Sequence, residues 1–214
     1  LGGRLATRRL DSGAAFDHGA QYFTARDPRF VNLVQEWCAA GAASLWTGRI
    51  VSIEQGVVSD FAEPRERYVG VPAMNAIAKT LAAGLDVRTN VTVQTVTRAE
   101  NGWQLTYNTG QQHGPFDVLL STAPPIQSRT LLGSHSAALD KSFSRVVMDP
   151  CWTVMLQTAE PLAASFDGAF VRNSSLSWIA RNSSKPNRSA AYCWVLQASG
   201  AWSREHLEDT PDTI

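Results

Sequence analysis

Asp17, Gly19 and Gln21 alternate within Phe16-Asp17-His18-Gly19-Ala20-Gln21-Tyr22-Phe23-Thr24, a stretch with aromatic residues near both ends. A short acid, a residue without a side chain and a wide amide suit a loop whose backbone amides approach a flat polar ligand closely. Upstream, Gly2-Gly3-Arg4 sets a double glycine before a guanidinium. That pairing suits a phosphate or ribose edge, met by backbone N–H groups and a planar donor fork. Each motif also fits a blander role: a plain turn at Gly2-Gly3, a capping or turn acid at Asp17.

Other chemistries find no anchor. His18, His113, His135 and His206 share no metal-ligand spacing, and neither a Gly-x-Ser-x-Gly elbow nor a Walker-type loop occurs. His18 stands beside the candidate loop, where an imidazole suits donation to a ligand or a packing role. Arg181, Asn182, Lys185 and Arg188 belong to a polar stretch that reads either as a solvated loop or as a site for an anionic substrate. Trp152, Trp178, Tyr192 and Trp194 take strand positions that make either an aromatic wall or core packing. Thr122-Ala123-Pro124 follows the apolar run Phe116 to Leu120. Small residues at the carboxyl end of a buried strand are where open α/β sheets admit ligands, although a proline-terminated loop fits equally.

Composition narrows the classes. At 214 residues and 44% hydrophobic, the chain suffices for one large domain or two small ones with a substantial core. Its 19 basic and 19 acidic residues cancel without a long run of either sign, which points away from nucleic-acid and membrane partners and leaves a small-molecule substrate. Cys38, Cys151 and Cys193 are odd in number and widely spaced, so reduced buried thiols in the cytoplasm are expected rather than a disulfide framework. No apolar run approaches the roughly 20 residues of a membrane helix, and no secretory signal opens the chain. Leu1 lies inside a glycine-rich turn without an initiator Met, and the chain stops after an acidic stretch. A fragment of a longer protein is therefore expected.

These residues need elements to hold them. Asp27-Pro28 reads as an N-cap and first helical position, with Phe30, Leu33, Val34, Trp37 and Cys38 on one face and Gly41 closing the helix. Arg49–Ile53 and Val57–Phe61 alternate around Glu54-Gln55-Gly56 and predict a hairpin. Met74, Ile77, Ala78 and Leu81 predict a second helix ending before Gly84, and Asn101-Gly102 a second hairpin. Phe116 to Leu120 predicts a buried strand. Strand-like runs at Trp152–Gln157, Ala169–Arg172, Leu176–Arg181 and Ala190–Gln197 predict an antiparallel sheet shared with the first hairpin, and Ser203 to Glu208 a capped helix start.

Taken in order, LGGRLATRR, FDHGAQYFT, YVGVPAMNAIAKTLA, FDVLLSTAPP, CWTVML, LSWIARNSSKPNR and ASGAWSREHLED resemble the renalase-like branch of the flavin-containing amine oxidase superfamily. The resemblance implies an α/β (α+β) chain: part of a glutathione-reductase-type FAD domain with a mainly antiparallel substrate-domain sheet. Residues 1–48 would be a remnant of the FAD domain, 49–72 the first part of the substrate domain, 73–134 the return to the FAD domain, and 135–214 the truncated substrate domain. FAD would be held by Gly2, Gly3 and Arg4 at the ribose and pyrophosphate, and by Asp17, Gly19, Ala20 and Gln21 along the isoalloxazine side. Val91, Thr122, Ala123 and Pro124 would meet the adenosine half. Trp178, Arg181, Asn182 and Tyr192 would face the substrate.

The implied activity is hydride transfer to flavin from a small reduced substrate of amine or dihydronicotinamide type, with electrons passed to dioxygen. The family's Gly-x-Gly-x-x-Gly turn and its closing flavin-phosphate motif are absent from these 214 residues. Since that turn and the helix after it normally hold the pyrophosphate, the chain alone is expected to bind FAD weakly or not at all and to be inactive. The rival expectation is a non-enzymatic ligand-binding or interaction module that has lost the cofactor.

Overall fold

The computed structural model describes residues 1–63 and 65–214. In chain order the first elements are β1 (Thr7–Arg9), β2 (Ala15–Asp17), α1 (Pro28–Ala39), β3 (Ala43–Leu45), β4 (Ile50–Glu54), β5 (Val57–Asp60), β6 (Tyr68–Gly70) and α2 (Ala76–Ala82). Next come β7 (Val93–Ala99), β8 (Gly102–Tyr107), β9 (Gln112–Phe116), α3 (Pro125–Leu132) and α4 (Ala137–Ser144). The last are β10 (Thr153–Thr158), β11 (Gly168–Arg172), β12 (Leu176–Arg181), β13 (Tyr192–Ala198) and α5 (Gly200–Glu205). They gather into two units, Leu1–Asp86 with Pro150–Ile214, and Val87–Asp149. The chain is thus mixed α/β.

The first unit is built on a six-stranded sheet in the order β10-β13-β12-β11-β4-β5. Its pairs are antiparallel except one: β11 runs parallel to β4, from Gly168 opposite Ile50 to Arg172 opposite Glu54. The two strand regions predicted to share a sheet do so, and this seam joins them. Parallel neighbours need a long connection, which is why the seam falls between segments far apart in sequence. The β4–β5 hairpin turns at Gln55 and Gly56, whose φ values of 48° and 80° are those of a two-residue turn matched to strand twist.

Helix α1 starts where its signals lie: Asp27 Oδ1 accepts from Arg29 N at 2.9 Å, with Pro28 as the first helical residue. Val34 and Trp37 are its buried stripe, and burial stabilises a side chain such as Val34 by about 1.5–3 kcal/mol. The helix ends with Ala42 N donating to Trp37 O at 2.8 Å past Gly41. A neighbouring core cluster joins Trp46, Ile50, Val69, Met74, Trp178 and Ala180, with Tyr22 and Phe170 packed against it.

The second unit is an antiparallel sheet in the order β7-β8-β9 with α3 and α4. The hairpin centre is Glu100-Asn101, one residue before the Asn-Gly pair, because Ala99 pairs with Gly102. Gly102 is needed for another reason: a Cβ there would lie 2.8 Å from Phe116 O on β9. Arg129 Nε donates to Asp140 Oδ1 at 2.7 Å and ties α3 to α4.

Three local expectations are corrected. Phe116 to Leu120 is not a buried strand: β9 ends at Phe116, and Val118 and Leu120 are 72% and 83% exposed. A continuous apolar run becomes a strand only with paired neighbours and covered faces, and beyond Phe116 none of the sheets among the described residues includes it. Helix α5 is capped by Ser199, whose hydroxyl accepts from Trp202 N, whereas Ser203 is buried and accepts from Trp152 N at 3.1 Å. Cys151 is exposed on the approach to edge strand β10, while Cys38 is half-buried and Cys193 buried. No helix among the described residues is long and apolar enough to cross a membrane, and none of their His, Cys, Asp and Glu side chains group to hold a metal ion.

Candidate functional site

Strand β2 ends at Asp17, and this carboxylate is the centre of a buried polar cluster. Thr7 Oγ1 donates to Asp17 Oδ1 at 2.7 Å and Met74 N at 3.1 Å. Arg188 donates to Oδ2 through Nη2 at 2.7 Å and Nε at 3.1 Å, and Lys185 Nζ lies 3.4 Å from the same oxygen. The side chains of Asp17 and Lys185 are fully buried and that of Arg188 is 2% exposed. Lys185 completes its shell with Gln21 Oε1 at 3.1 Å and Asn182 Oδ1 at 3.2 Å, and its ammonium lies 5.6 Å from the Trp46 ring centre. The stretch that reads from sequence as either solvated loop or anion site is therefore, at Asn182, Lys185 and Arg188, interior structure.

Burial works against the Asp17 charge, but Lys185 and Arg188, with the Thr7 and Met74 hydrogen bonds, outweigh it and hold the carboxyl below its ordinary value. Burial also dominates at Lys185 and pulls the ammonium down to about 8, against the opposing pull of Asp17. One carboxylate and two cations leave an excess positive charge inside the unit, which favours electron-rich ligands nearby.

The cluster clamps the Gly19–Gln21 segment. Gln21 Nε2 donates to Asp17 O and to Gly19 O, and Gln197 Nε2 on β13 donates to Gly19 O at 2.8 Å. Ala20 N donates to Arg4 O at 2.8 Å, which lays the segment against the Gly2–Arg4 turn. A Cβ on Gly19 would be driven into that carbonyl oxygen. Gly19 is thus required by a crossing of two backbone segments, and its φ is not in the left-handed region. Gly2 and Gly3 are, at 125° and 49°, and a Cβ on Gly3 would meet nothing within 4 Å.

The remaining expected residues fall in separate places. Trp178 is a member of the core cluster, with its ring 5.5 Å from that of Tyr22, and its buried Nε1 has no hydrogen-bond partner. Arg181 pairs with Asp167 at 2.9 Å and lies over the Trp194 ring. Asn182 donates to Ala15 O at 2.7 Å within the Asp17 cluster. Tyr192 opens β13 opposite Thr158, the last residue of β10. None of these four borders the two clefts that follow. In the second unit, Val91, Thr122 and Ala123 border one mostly apolar cleft of about 400 Å³. Ser128 Oγ donates to Ala123 O at 2.9 Å and holds the turn against α3, which Pro124 caps. Sequence reasoning missed Arg65, Arg67 and Arg172, which border a larger cleft beside Tyr22. For Arg65 and Arg67 the signal was their spacing, since alternate residues of an extended chain share a side.

The chain belongs to the flavin-containing amine oxidoreductase family, which it matches over residues 54–208. Among solved structures it is similar to a triple mutant of putrescine oxidase made in a structure-based redesign of cofactor binding. That similarity has a TM-score of 0.72 and 13% identity and covers 100% of this chain and 71% of the other. A double mutant of putrescine oxidase matches with a TM-score of 0.71 and 12% identity over the same shares. Identities this low speak for the fold alone.

Each unit by itself offers features that fit parts of the family's flavin cofactor. Open space lies beside Gly3, and the exposed guanidinium of Arg4 has no partner among the described residues. That donor set suits a phosphate or ribose edge. The cleft at Val91, Thr122 and Ala123 suits a planar apolar face. Asp17 and Gln21, by contrast, have their side chains committed within the protein.

Proposed function

We propose that the chain forms part of an FAD-dependent oxidoreductase of the renalase-like branch, acting on a small reduced substrate of amine or dihydronicotinamide type. When bound, the flavin supplies the acceptor that takes a hydride from the substrate and passes the electrons to dioxygen. Gly2, Gly3 and Arg4 bind the ribose and pyrophosphate. Gly19, Ala20 and Gln21 border the isoalloxazine through their backbone, held in place by Asp17, Lys185 and Arg188. Val91, Thr122, Ala123 and Pro124 bind the adenosine portion. Segments 1–48 and 73–134 are assigned to the cofactor-binding part, and 49–72 and 135–214 to the substrate part.

The observation that carries this reading is the family match over residues 54–208. The clamped loop gives it a physical form: its shape is set by buried charge rather than by the ligand, which is the preorganisation that orienting a cofactor requires. The run LSWIARNSSKPNR supports the branch, since its Asn182 and Lys185 are two of the clamping side chains. Three free cysteines support a reducing, cytoplasmic setting. The test is anaerobic mixing of the natural-length protein with dihydronicotinamide and amine substrates, followed by admission of air. Bleaching of the flavin by one class and its return with peroxide formation are expected. A flavin that neither class reduces would refute the activity.

A further inference from the structure

The cleft beside Tyr22, about 720 Å³ in volume, has walls of two kinds. Tyr22, Phe61 and Phe170 supply flat apolar faces, with Phe170 edge-on to Phe61 at 5.8 Å and to Trp178 at 4.7 Å. Arg65, Arg67 and Arg172 supply three guanidiniums against a single carboxylate, Glu63. Elsewhere Arg29, Arg49, Arg129, Arg181 and Arg188 are each ion-paired to an aspartate. Among the described residues the three cleft arginines have no carboxylate partner. Arg67 donates to Arg65 O at 3.2 Å, Arg172 to Ser52 Oγ at 3.3 Å, and the buried Nε of Arg67 to nothing.

Three like charges around one cavity repel one another, and an arriving anion relieves that repulsion. Arg67 is also held ready. Its carbonyl accepts from Trp46 N at 2.7 Å, the adjacent Tyr68 exchanges backbone hydrogen bonds with Phe23, and its guanidinium carbon lies 5.2 Å from the Tyr22 ring centre. Tyr22 directly follows Gln21 in the chain, and Gln21 turns its amide into the buried cluster.

We propose that this cleft is the substrate-recognition site, that it takes a planar ring carrying a phosphate or carboxylate, and that it disfavours a free alkylammonium. The ring lies against Tyr22 and Phe170, and the anion meets Arg67 and Arg172. This deepens the oxidoreductase reading and rests on it. A bidentate guanidinium fork gives an anion both charge and direction, whereas an ammonium in the same place meets only repulsion.

The test is titration calorimetry of the chain with four probes sharing one ring: phenyl phosphate, benzoate, benzyl alcohol and benzylamine. At least one of the two anions binds about tenfold or more tightly than benzylamine, with benzyl alcohol between, and added salt narrows the gap. Comparison of phenyl phosphate with benzoate shows which anion is meant. Arg67→Gln and, separately, Arg172→Gln weaken the preferred anion about tenfold and leave benzyl alcohol unchanged. Should Arg67→Gln unfold the chain, Arg172→Gln decides. Benzylamine binding as tightly as both anions, anion binding indifferent to the substitutions, or no binding of any probe would overturn the proposal. Flavin plays no part in these titrations. A natural-length protein that carries FAD but lacks anion preference loses this proposal alone, and one that prefers anions but takes no flavin loses the oxidoreductase reading alone.

Discussion

Asp17→Asn tests whether the buried charge cluster holds the candidate loop. The replacement keeps the shape and leaves an oxygen for Thr7 and Met74 N. It also turns an amide donor toward the Lys185 ammonium and the Arg188 guanidinium, which bond Oδ2 at 3.4 and 2.7 Å. Two buried cations then lack their counter-charge, and removing one partner of such an arrangement costs about 3–5 kcal/mol. Against a total of about 5–15 kcal/mol for a typical domain, the loss is large. Lys185→Met removes one cation and leaves the Asp17–Arg188 pair intact, so its cost is that of the donors lost to Gln21 and Asn182, about 1–3 kcal/mol. Urea unfolding followed by tryptophan fluorescence suits the comparison, because all seven tryptophans except Trp103 lie in the first unit.

The pH dependence follows from the same groups. Asp17 is held below its ordinary 3.8, so its contribution is complete above that value and is lost as pH falls through its folded-state value. The gap between wild type and Asp17→Asn should close in acid. Lys185 lies at about 8 against an ordinary 10.5. In that window the unfolded chain binds more protons, so stability gains with rising pH, a gain that Lys185→Met lacks. Asp17→Asn within about 1 kcal/mol of wild type at neutral pH, or less damaging than Lys185→Met, would refute this reasoning.

Two further predictions concern local structure. Gly19→Ala forces the Arg4 backbone away and should cost about 1–3 kcal/mol, seen as a lowered thermal midpoint; an unchanged midpoint would mean the crossing is loose. Thiol labelling of the native chain should modify Cys151 first and Cys193 last, since burial raises the thiols of Cys38 and Cys193 while Cys151 is exposed. Peptide mapping after timed labelling reads the order, and early labelling of Cys193 would contradict it.

Elements with local signals were legible in the sequence. Helix α1 begins and ends where its capping aspartate, proline and glycine stand, because those residues act on their own neighbours. The β4–β5 hairpin and the shared sheet followed from alternation. The Phe116–Leu120 run failed because whether an apolar segment is a buried strand depends on what lies beside it. The role of Asp17 was illegible for a related reason: its partners Lys185 and Arg188 are 168 and 171 residues away, in a polar loop that sequence alone cannot distinguish from a solvated one. Likewise Gly19 was recognised as a close approach, but the approaching group is the Arg4 backbone.

Flavin content is the measurement that bears most directly on the central claim. The natural-length protein is purified alongside a variant carrying Arg4→Ala, and bound flavin is read from its absorbance after gel filtration, with FAD released by heat and identified by chromatography. The expected result is a yellow wild type carrying FAD, and an Arg4→Ala variant that retains its fold by circular dichroism but holds distinctly less. A colourless wild type that takes up no added FAD would contradict the claim.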